Sequence, residues 1–221
     1  YQNTFAISTR MLGVMFAIHS DAKGLILPPN IAPTQVVIVP ILFEDSKEKV
    51  LKQAREIAKL LGEKVLLDDR EEYKPGYKFN EWELKGVPLR IEIGPKDLEN
   101  KKVTLVRRDN GKKEDVLIKD LKKKVLETLE EIQNSLLKKA EKNLKEAIVE
   151  IKSLRDLKKE IENKKICFAP LCESRECEEK LKFETGGAKV LNIPSSGEGK
   201  KGTCIVCGKK ADYWAYIGKS Y

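Results

Sequence analysis

Four cysteines in the last third of the chain have the residue type and spacing of a metal site. Cys172 and Cys177 form one close pair, and Cys204 and Cys207 form a second pair that Gly208 follows directly. Each short loop folds two sulfur atoms towards one point, and two such pairs supply the four thiolates that tetrahedral zinc takes. With all four ligands from the protein, the predicted site is closed, which is typical of structural zinc.

Other roles for the thiols stay open at this point. They can be redox-active or form a disulfide, although disulfides are disfavoured in a reducing cytosol. The fifth cysteine, Cys167, lies in the apolar run Ile-Cys-Phe-Ala at residues 166–169. We expect Cys167 to be a small buried side chain and not a ligand.

A second stretch, residues 68–97, mixes basic and aromatic side chains and contains Pro-Gly at 75–76 and Gly-Pro at 94–95. Cations neutralise phosphates, while aromatic rings and guanidinium groups stack on unpaired bases, so the mixture is typical of single-stranded RNA binding. The basic residues are Arg70, Lys78, Lys85, Arg90 and Lys96, and the aromatic ones are Tyr73, Tyr77, Phe79 and Trp82. An ordinary charged loop followed by a strand would have a similar composition, so that interpretation remains an alternative.

The composition bounds the class of protein. The chain has 221 residues, 41% hydrophobic and 35% charged, which indicates a globular fold of one or two domains. A net charge of +8 favours a polyanionic partner. The apolar stretch 25–42 is interrupted by four prolines, so we predict no membrane span and a cytoplasmic protein.

The pattern of apolar residues predicts an α/β fold. A strand-like start at Phe5 and Ile7 precedes a short helix over 9–19, and from Thr34 strands alternate with helices. We expect strands at 36–40, 65–67, 89–93, 103–107 and 115–118, a helix near 46–61 and a short helix or turn over 81–85. A mixed five-stranded sheet with flanking helices follows. A long amphipathic helix over 121–147, a shorter helix after Ser153 and a small α+β domain around the cysteines complete the chain.

Three blocks of sequence together resemble prolyl-tRNA synthetases of the archaeal and eukaryotic-like type. The blocks are Ile7-Ser8-Thr9-Arg10-Met11-Leu12-Gly13 with the segment to Pro29, the stretch 32–40 with 68–97, and the cysteine-rich tail with its final Tyr213–Tyr221. The resemblance covers essentially the whole chain. It implies the end of a class II catalytic domain over 1–32, an anticodon-binding domain over 33–120, a helical connection over 121–165 and a zinc-binding C-terminal domain over 166–221.

The same resemblance implies a proline–tRNA ligase that activates proline with ATP and Mg²⁺ and transfers it to the proline tRNA, as a homodimer. Arg10 would contact ATP, with Ser8 and Thr9 beside the proline pocket. The family reads two adjacent guanines of the anticodon. By resemblance, the cations that donate to them are Arg70, Lys78 and Lys85, and the carboxylates that accept from them are Glu81 or Glu83.

The sequence departs from the family pattern in its first block. Phe5-Ala6 stands where the family usually has Trp-Gly, and Ser20 replaces a glycine between His19 and Asp21. The first and second class II motifs are absent from the sequence, so we expect no catalysis by this chain alone. Two other functions remain as alternatives: a non-catalytic RNA-binding module built on an anticodon-binding domain, and a generic basic zinc protein.

Overall fold

The computed structural model describes residues 5–198 and 200–219. The chain divides into two compact units, Tyr1–Ala140 and Glu141–Tyr221. Within the described residues, no helix is both long enough and apolar enough to cross a membrane.

The first unit is built on a mixed sheet in the order β2-β1-β3-β4-β5. Its strands are β1 Val36–Pro40, β2 Val65–Leu67, β3 Leu89–Ile93, β4 Lys102–Arg107 and β5 Lys113–Leu117. β1 pairs in parallel with β2 and β3, whereas β3 with β4 and β4 with β5 pair antiparallel. The expected five-stranded mixed sheet is therefore confirmed.

Helices pack against both faces of this sheet. The helices of the unit are α1 Arg10–His19, α2 Lys47–Leu61, α3 Pro75–Lys85, α4 Pro95–Glu99 and α5, Leu121–Ala147, whose last residues belong to the second unit. Val36 and Ile38 of β1 pack with apolar residues of α2 and α5 on one face, while Val37 and Val39 pack near Trp82 of α3 on the other. Because side chains alternate along a strand, β1 is apolar throughout and contributes to both layers.

Helix α3 is longer than the short helix expected over 81–85. It begins at Pro75, where the missing backbone N–H costs nothing because first-turn amides lack helical partners. It ends at Lys85 and is capped by Gly86, which has a φ of 75°. A Cβ added to Gly86 would lie 2.7 Å from the backbone of Leu25, so the close approach of these two segments requires glycine.

The expected strand at Phe5 and Ile7 is wrong, since residues 5–8 have no regular secondary structure. Both side chains are exposed, and no neighbouring strand in the described chain supplies the ladder that a strand needs.

The second unit contains a four-stranded sheet in the order β6-β7-β9-β8. Its elements are β6 Ile148–Glu150, α6 Leu154–Glu162, β7 Ile166–Leu171, α7 Arg175–Glu184, β8 Lys189–Asn192 and β9 Tyr213–Gly218. The hydroxyl of Ser153 accepts from the N–H of Asp156 and caps α6. Leu157 of α6 and Leu181 of α7 pack with Ala169 and Ile217 in one apolar core. This α+β arrangement agrees with the expected fold.

Candidate nucleic-acid interface and metal centre

Asp68 is the centre of a polar cluster between β2 and α3. Its buried carboxylate accepts two hydrogen bonds of 2.8 Å from Arg70 and one of 2.7 Å from Trp82 Nε1. The ammonium of Lys78 lies 3.7 Å from Asp68 Oδ1 and donates to the Asp68 carbonyl oxygen at 3.1 Å. Burial alone would raise the pKa of Asp68, but the donors from Arg70 and Trp82 and the charge of Lys78 lower it to about 2.

Four of the residues assigned to RNA by resemblance meet in or beside this cluster. Arg70 donates to Glu81 at 2.6 Å, and Lys85 donates to Glu81 at 2.7 Å and lies 4.4 Å from the centre of the Trp82 ring. The Lys85 bond, then the Arg70 bond, lower the pKa of Glu81. Lys78 is only 2% exposed, so its charge is held inside the fold, whereas Lys85 is the most accessible cation of the group.

Glu83, the fifth residue assigned to RNA, lies apart from these four. It lines a cleft of about 250 Å³ between the end of α3, β3 and the turn after β4. Arg90 donates to Glu83 at 3.1 Å and to Glu92 at 3.0 Å, and its guanidinium lies 4.3 Å from the centre of the Phe79 ring. The cleft therefore combines a carboxylate, a guanidinium and the Trp82 ring.

Arg90 was not assigned to RNA binding from the sequence, although the alternating pattern of β3 indicates which face of the sheet it lies on. Arg90 and Glu92 alternate with Leu89, Ile91 and Ile93, and those three pack in the core beneath the sheet. An arginine at an alternate position of a buried strand must therefore point to the opposite face. The pattern identifies the face, but the contact with Glu83 depends on the position of α3.

Asp21 and Arg108 close one side of the cleft. The guanidinium of Arg108 donates to both carboxylate oxygens of Asp21, at 2.6 and 2.8 Å, and to the carbonyl oxygen of Glu83 at 2.9 Å. The bonds from Arg108 hold the pKa of Asp21 well below its usual range, against the opposing effect of burial. Lys23 lies 3.8 Å from Glu83 Oε2 at the rim.

Ser8, Thr9 and Arg10 lie at the start of α1. The Met11 N–H donates to the Ser8 carbonyl oxygen at 3.1 Å, which begins the first turn. All three residues are exposed, and within residues 5–198 and 200–219 no ion pair involves Arg10. Among the described residues, no further groups surround these three to form a nucleotide pocket.

The second unit brings the four predicted zinc ligands together. The sulfur atoms of Cys172, Cys177, Cys204 and Cys207 all lie within 4.8 Å of one another. The sulfurs of Cys172 and Cys207 are 3.7 Å apart, far longer than a disulfide bond. Four sulfurs at the usual Zn–S distance in a tetrahedron would be separated by about 3.8 Å, so the spacing suits zinc.

Local structure explains how these thiols converge. Cys172 follows β7, Cys177 lies in the first turn of α7, and the other two sit on a turn in which Gly208 donates to the Cys204 carbonyl oxygen at 2.9 Å. Burial opposes ionisation of Cys204, but backbone amides, led by that of Cys207, lower its pKa to about 7. Amides that stabilise a thiolate also favour metal ligation.

Cys167 is separate from this cluster. It is fully buried in β7 among the apolar residues of the unit, and burial raises its pKa to about 11. These surroundings agree with the role expected of it as a small core side chain.

Comparisons with known proteins identify the family of both units. A model described as "Anticodon binding domain" matches residues 35–128, and one described as "Prolyl-tRNA synthetase, C-terminal" matches residues 154–221. A proline–tRNA ligase of Alkaliphilus oremlandii is 45% identical over 100% of this chain and 46% of its own length. The cytoplasmic proline–tRNA ligase of Arabidopsis thaliana is 42% identical over 100% of this chain and 44% of its own length.

A solved structure is similar throughout. The crystal structure of prolyl-tRNA synthetase from Cryptosporidium parvum, complexed with halofuginone and AMPPNP, has a TM-score of 0.88 and 41% identity, covering 96% of this chain and 45% of that one. The chain spans a little under half the length of the relatives it matches.

Proposed function

The chain belongs to the prolyl-tRNA synthetase family, and from that premise we propose that it is the anticodon-binding and C-terminal part of a proline–tRNA ligase. The complete protein activates proline with ATP and Mg²⁺, transfers it to the proline tRNA, and acts as a homodimer in the cytoplasm. In that protein Arg10 contacts ATP, with Ser8 and Thr9 beside the proline pocket. The AMPPNP in the related structure supports the use of ATP.

The Glu83–Arg90 pair in its cleft is the observation that carries the RNA-binding part of this proposal. A guanine offers O6 and N7 as acceptors and its N1–H and amino group as donors. A guanidinium donates to the first two and a carboxylate accepts from the others, so adjacent Arg and Glu side chains suit guanine. Trp82 lines the same cleft, and the ammonium of Lys85 lies 4.4 Å from the centre of its ring.

The Asp68 cluster holds in place the helix that carries Glu83. It fixes α3 to the end of β2 through Arg70, Lys78 and Trp82, which keeps Glu83 on a rigid element. We therefore assign Lys78 to support of the fold, and Arg70, Glu81 and Lys85 to an accessible flank of the RNA surface. Glu83 and Arg90 are assigned to base reading.

Binding of anticodon stem-loops tests this function. Fluorescence anisotropy should show that replacing either anticodon guanine by adenine weakens binding by about 1–3 kcal/mol, because a donor and an acceptor lose their partners. In Glu83→Gln the preference for guanine should fall, since an amide has one acceptor oxygen where a carboxylate has two.

Glu179→Gln is the matched control for loss of a carboxylate, because Glu179 is an exposed glutamate on α7 in the second unit. It should leave the guanine preference unchanged. Equal affinity for all stem-loops, weakening uniformly with salt, would show that the chain binds RNA only by charge.

The four clustered cysteines hold a structural zinc ion in this proposal. All four positions of a tetrahedral ion are filled by Cys172, Cys177, Cys204 and Cys207, which leaves no site for a substrate. When bound, the ion links the loop after β7 to the turn at residues 204–208. Such a link stabilises a small unit whose apolar core is limited.

A further inference from the structure

A pair of stacked tyrosines lies at the beginning of α3, which also carries Glu83 near its end. The rings of Tyr73 and Tyr77 have centroids 4.7 Å apart and planes inclined by 15°. Tyr73 is 39% exposed and Tyr77 is 54% exposed. We call this pair the tyrosine shelf. A cleft of about 390 Å³ adjoins it, lined by Tyr73 and by Phe43, which is 61% exposed.

The shelf is held in place by the surrounding polar groups. The guanidinium of Arg70 lies 4.9 Å from the centre of the Tyr73 ring, and Arg70 is itself bound to Asp68 and Glu81. Tyr73 therefore has two ordered neighbours, while Tyr77 stacks on Tyr73 and keeps more of its surface open to solvent. A ring that is already oriented loses little conformational entropy when a ligand stacks on it.

The charges around the shelf favour stacking over phosphate binding. Lys47 is paired with Glu71 at 2.5 Å, and Arg70 is paired with two carboxylates. The adjoining cleft is also lined by Glu44, Glu72 and Lys74, so the two signs nearly balance. A surface with exposed rings and little net positive charge suits the flat face of a base better than the backbone of a nucleic acid.

The shelf and the base-reading cleft both adjoin α3, although the clefts beside them share no lining residue. Tyr77 and Glu83 are six positions apart on this helix, which corresponds to an axial separation of about 9 Å. The two side chains also leave the helix about 120° apart, so an RNA loop that contacts both must cross the exposed side of α3. A protein segment would also bury the rings, but the shared helix and the basic chain favour RNA.

We propose that the tyrosine shelf binds one unpaired base of the RNA loop, next to the bases held at Glu83 and Arg90, by stacking on Tyr77. This site rests on the proposed function. It differs from the cleft because it accepts any base: every base has an aromatic face, and the shelf presents no paired donor and acceptor to select one.

Anisotropy titrations with the anticodon stem-loop of the proline tRNA test the proposal. Tyr77→Ala should weaken binding by about 5- to 150-fold, the range expected for loss of one stacked base, and Tyr77→Phe should stay within about twofold because the ring remains. Phe183→Ala is the matched control, since Phe183 is an 85% exposed ring on α7, and it should bind like the wild type. Circular dichroism of Tyr77→Ala should show unchanged folding because the ring is exposed.

Salt dependence and a fluorescent base separate stacking from charge. The ratio of the wild-type and Tyr77→Ala affinities should be the same at low and at physiological salt, because loss of a ring releases no counterions. In stem-loops carrying 2-aminopurine beside the guanines, one position should be quenched on binding wild type and Tyr77→Phe but not Tyr77→Ala.

The outcomes distinguish this site from the proposed function. Wild-type affinity of Tyr77→Ala, with guanine preference intact, would overturn the shelf and leave the cleft assignment standing. Loss of affinity in Tyr77→Ala without any guanine preference in the wild type would support the shelf and contradict the proposed reading of the anticodon. A Tyr77→Ala defect that disappears with salt would also overturn stacking.

Discussion

Asp21 and Arg108 are 87 residues apart in the sequence and form an ion pair through two hydrogen bonds, of 2.6 and 2.8 Å. The same guanidinium donates to the carbonyl oxygen of Glu83. Alongside this pair, Leu25 donates to the Leu84 carbonyl oxygen at 3.0 Å and Leu27 to that of Gly86 at 3.1 Å. The segment after α1 is therefore joined to the end of α3 that carries Glu83.

The Asp21–Arg108 pair should contribute to stability in a pH-dependent way. We expect Asp21→Asn to lower the free energy of unfolding by about 1 kcal/mol at neutral pH, a value reduced for the partial exposure of Asp21. The folded pKa of Asp21 is lowered, so its contribution is present above the usual aspartate pKa and is lost as the pH falls through the folded value. Urea unfolding should show the gap between wild type and variant shrinking below about pH 4.

Asp45→Asn is the control for this measurement. Asp45 is exposed and makes no ion pair within the part of the chain that the structure describes. Its replacement should change stability little at any pH. A gap between wild type and Asp21→Asn that widens as the pH falls would contradict the assignment.

Asp68→Ala should destabilise the first unit strongly. The substitution leaves the buried Lys78 ammonium without its carboxylate and Trp82 Nε1 without its acceptor, so the expected loss is about 3–5 kcal/mol in urea unfolding. The neighbouring Asp69 makes only a 3.6 Å contact with Arg55 between partly exposed side chains. Asp69→Ala should therefore stay within about 0.5 kcal/mol of wild type. Equal effects of the two substitutions would show that the cluster is not a structural centre.

Zinc content should depend on four cysteines and not on the fifth. Elemental analysis of the purified chain should give about one zinc per chain, lost in Cys204→Ser and retained in Cys167→Ser. Chelation should lower the thermal transition of the second unit, because the ion links two of its loops. Full zinc content in Cys204→Ser would exclude the proposed ligand set.

This chain alone should not form prolyl-adenylate. Catalysis of this kind requires ATP and proline to be held in line while charge at the phosphate is stabilised. In the described residues, Arg10 stands on an exposed helix without neighbouring groups that could complete such a site. Proline-dependent exchange of pyrophosphate into ATP is the direct assay. Activity above background that is lost in Arg10→Ala would contradict this prediction.

Local patterns in the sequence were sufficient to predict the elements with strong periodicity. The β-branched run of β1, the alternation in β3 and the apolar stripe of α5 each identify their element, because burial imposes its period directly on the sequence. Likewise the spacing of the two cysteine pairs indicated a ligand set, since each pair converges within its own short loop. These predictions depend on residues that are close in the chain.

Only the tertiary structure decided which distant groups meet. The short strands β6 and β8 carry little periodicity and form because β7 and β9 offer them backbone partners, whereas Phe5 and Ile7 find no such partner in the described chain. Lys78 and Lys85 lie seven positions apart and so on nearly the same side of α3, yet Lys78 is buried against Asp68 while Lys85, the last residue of the helix, is exposed. Charge and residue type are properties of the chain, but desolvation and pairing depend on neighbours that folding brings from elsewhere.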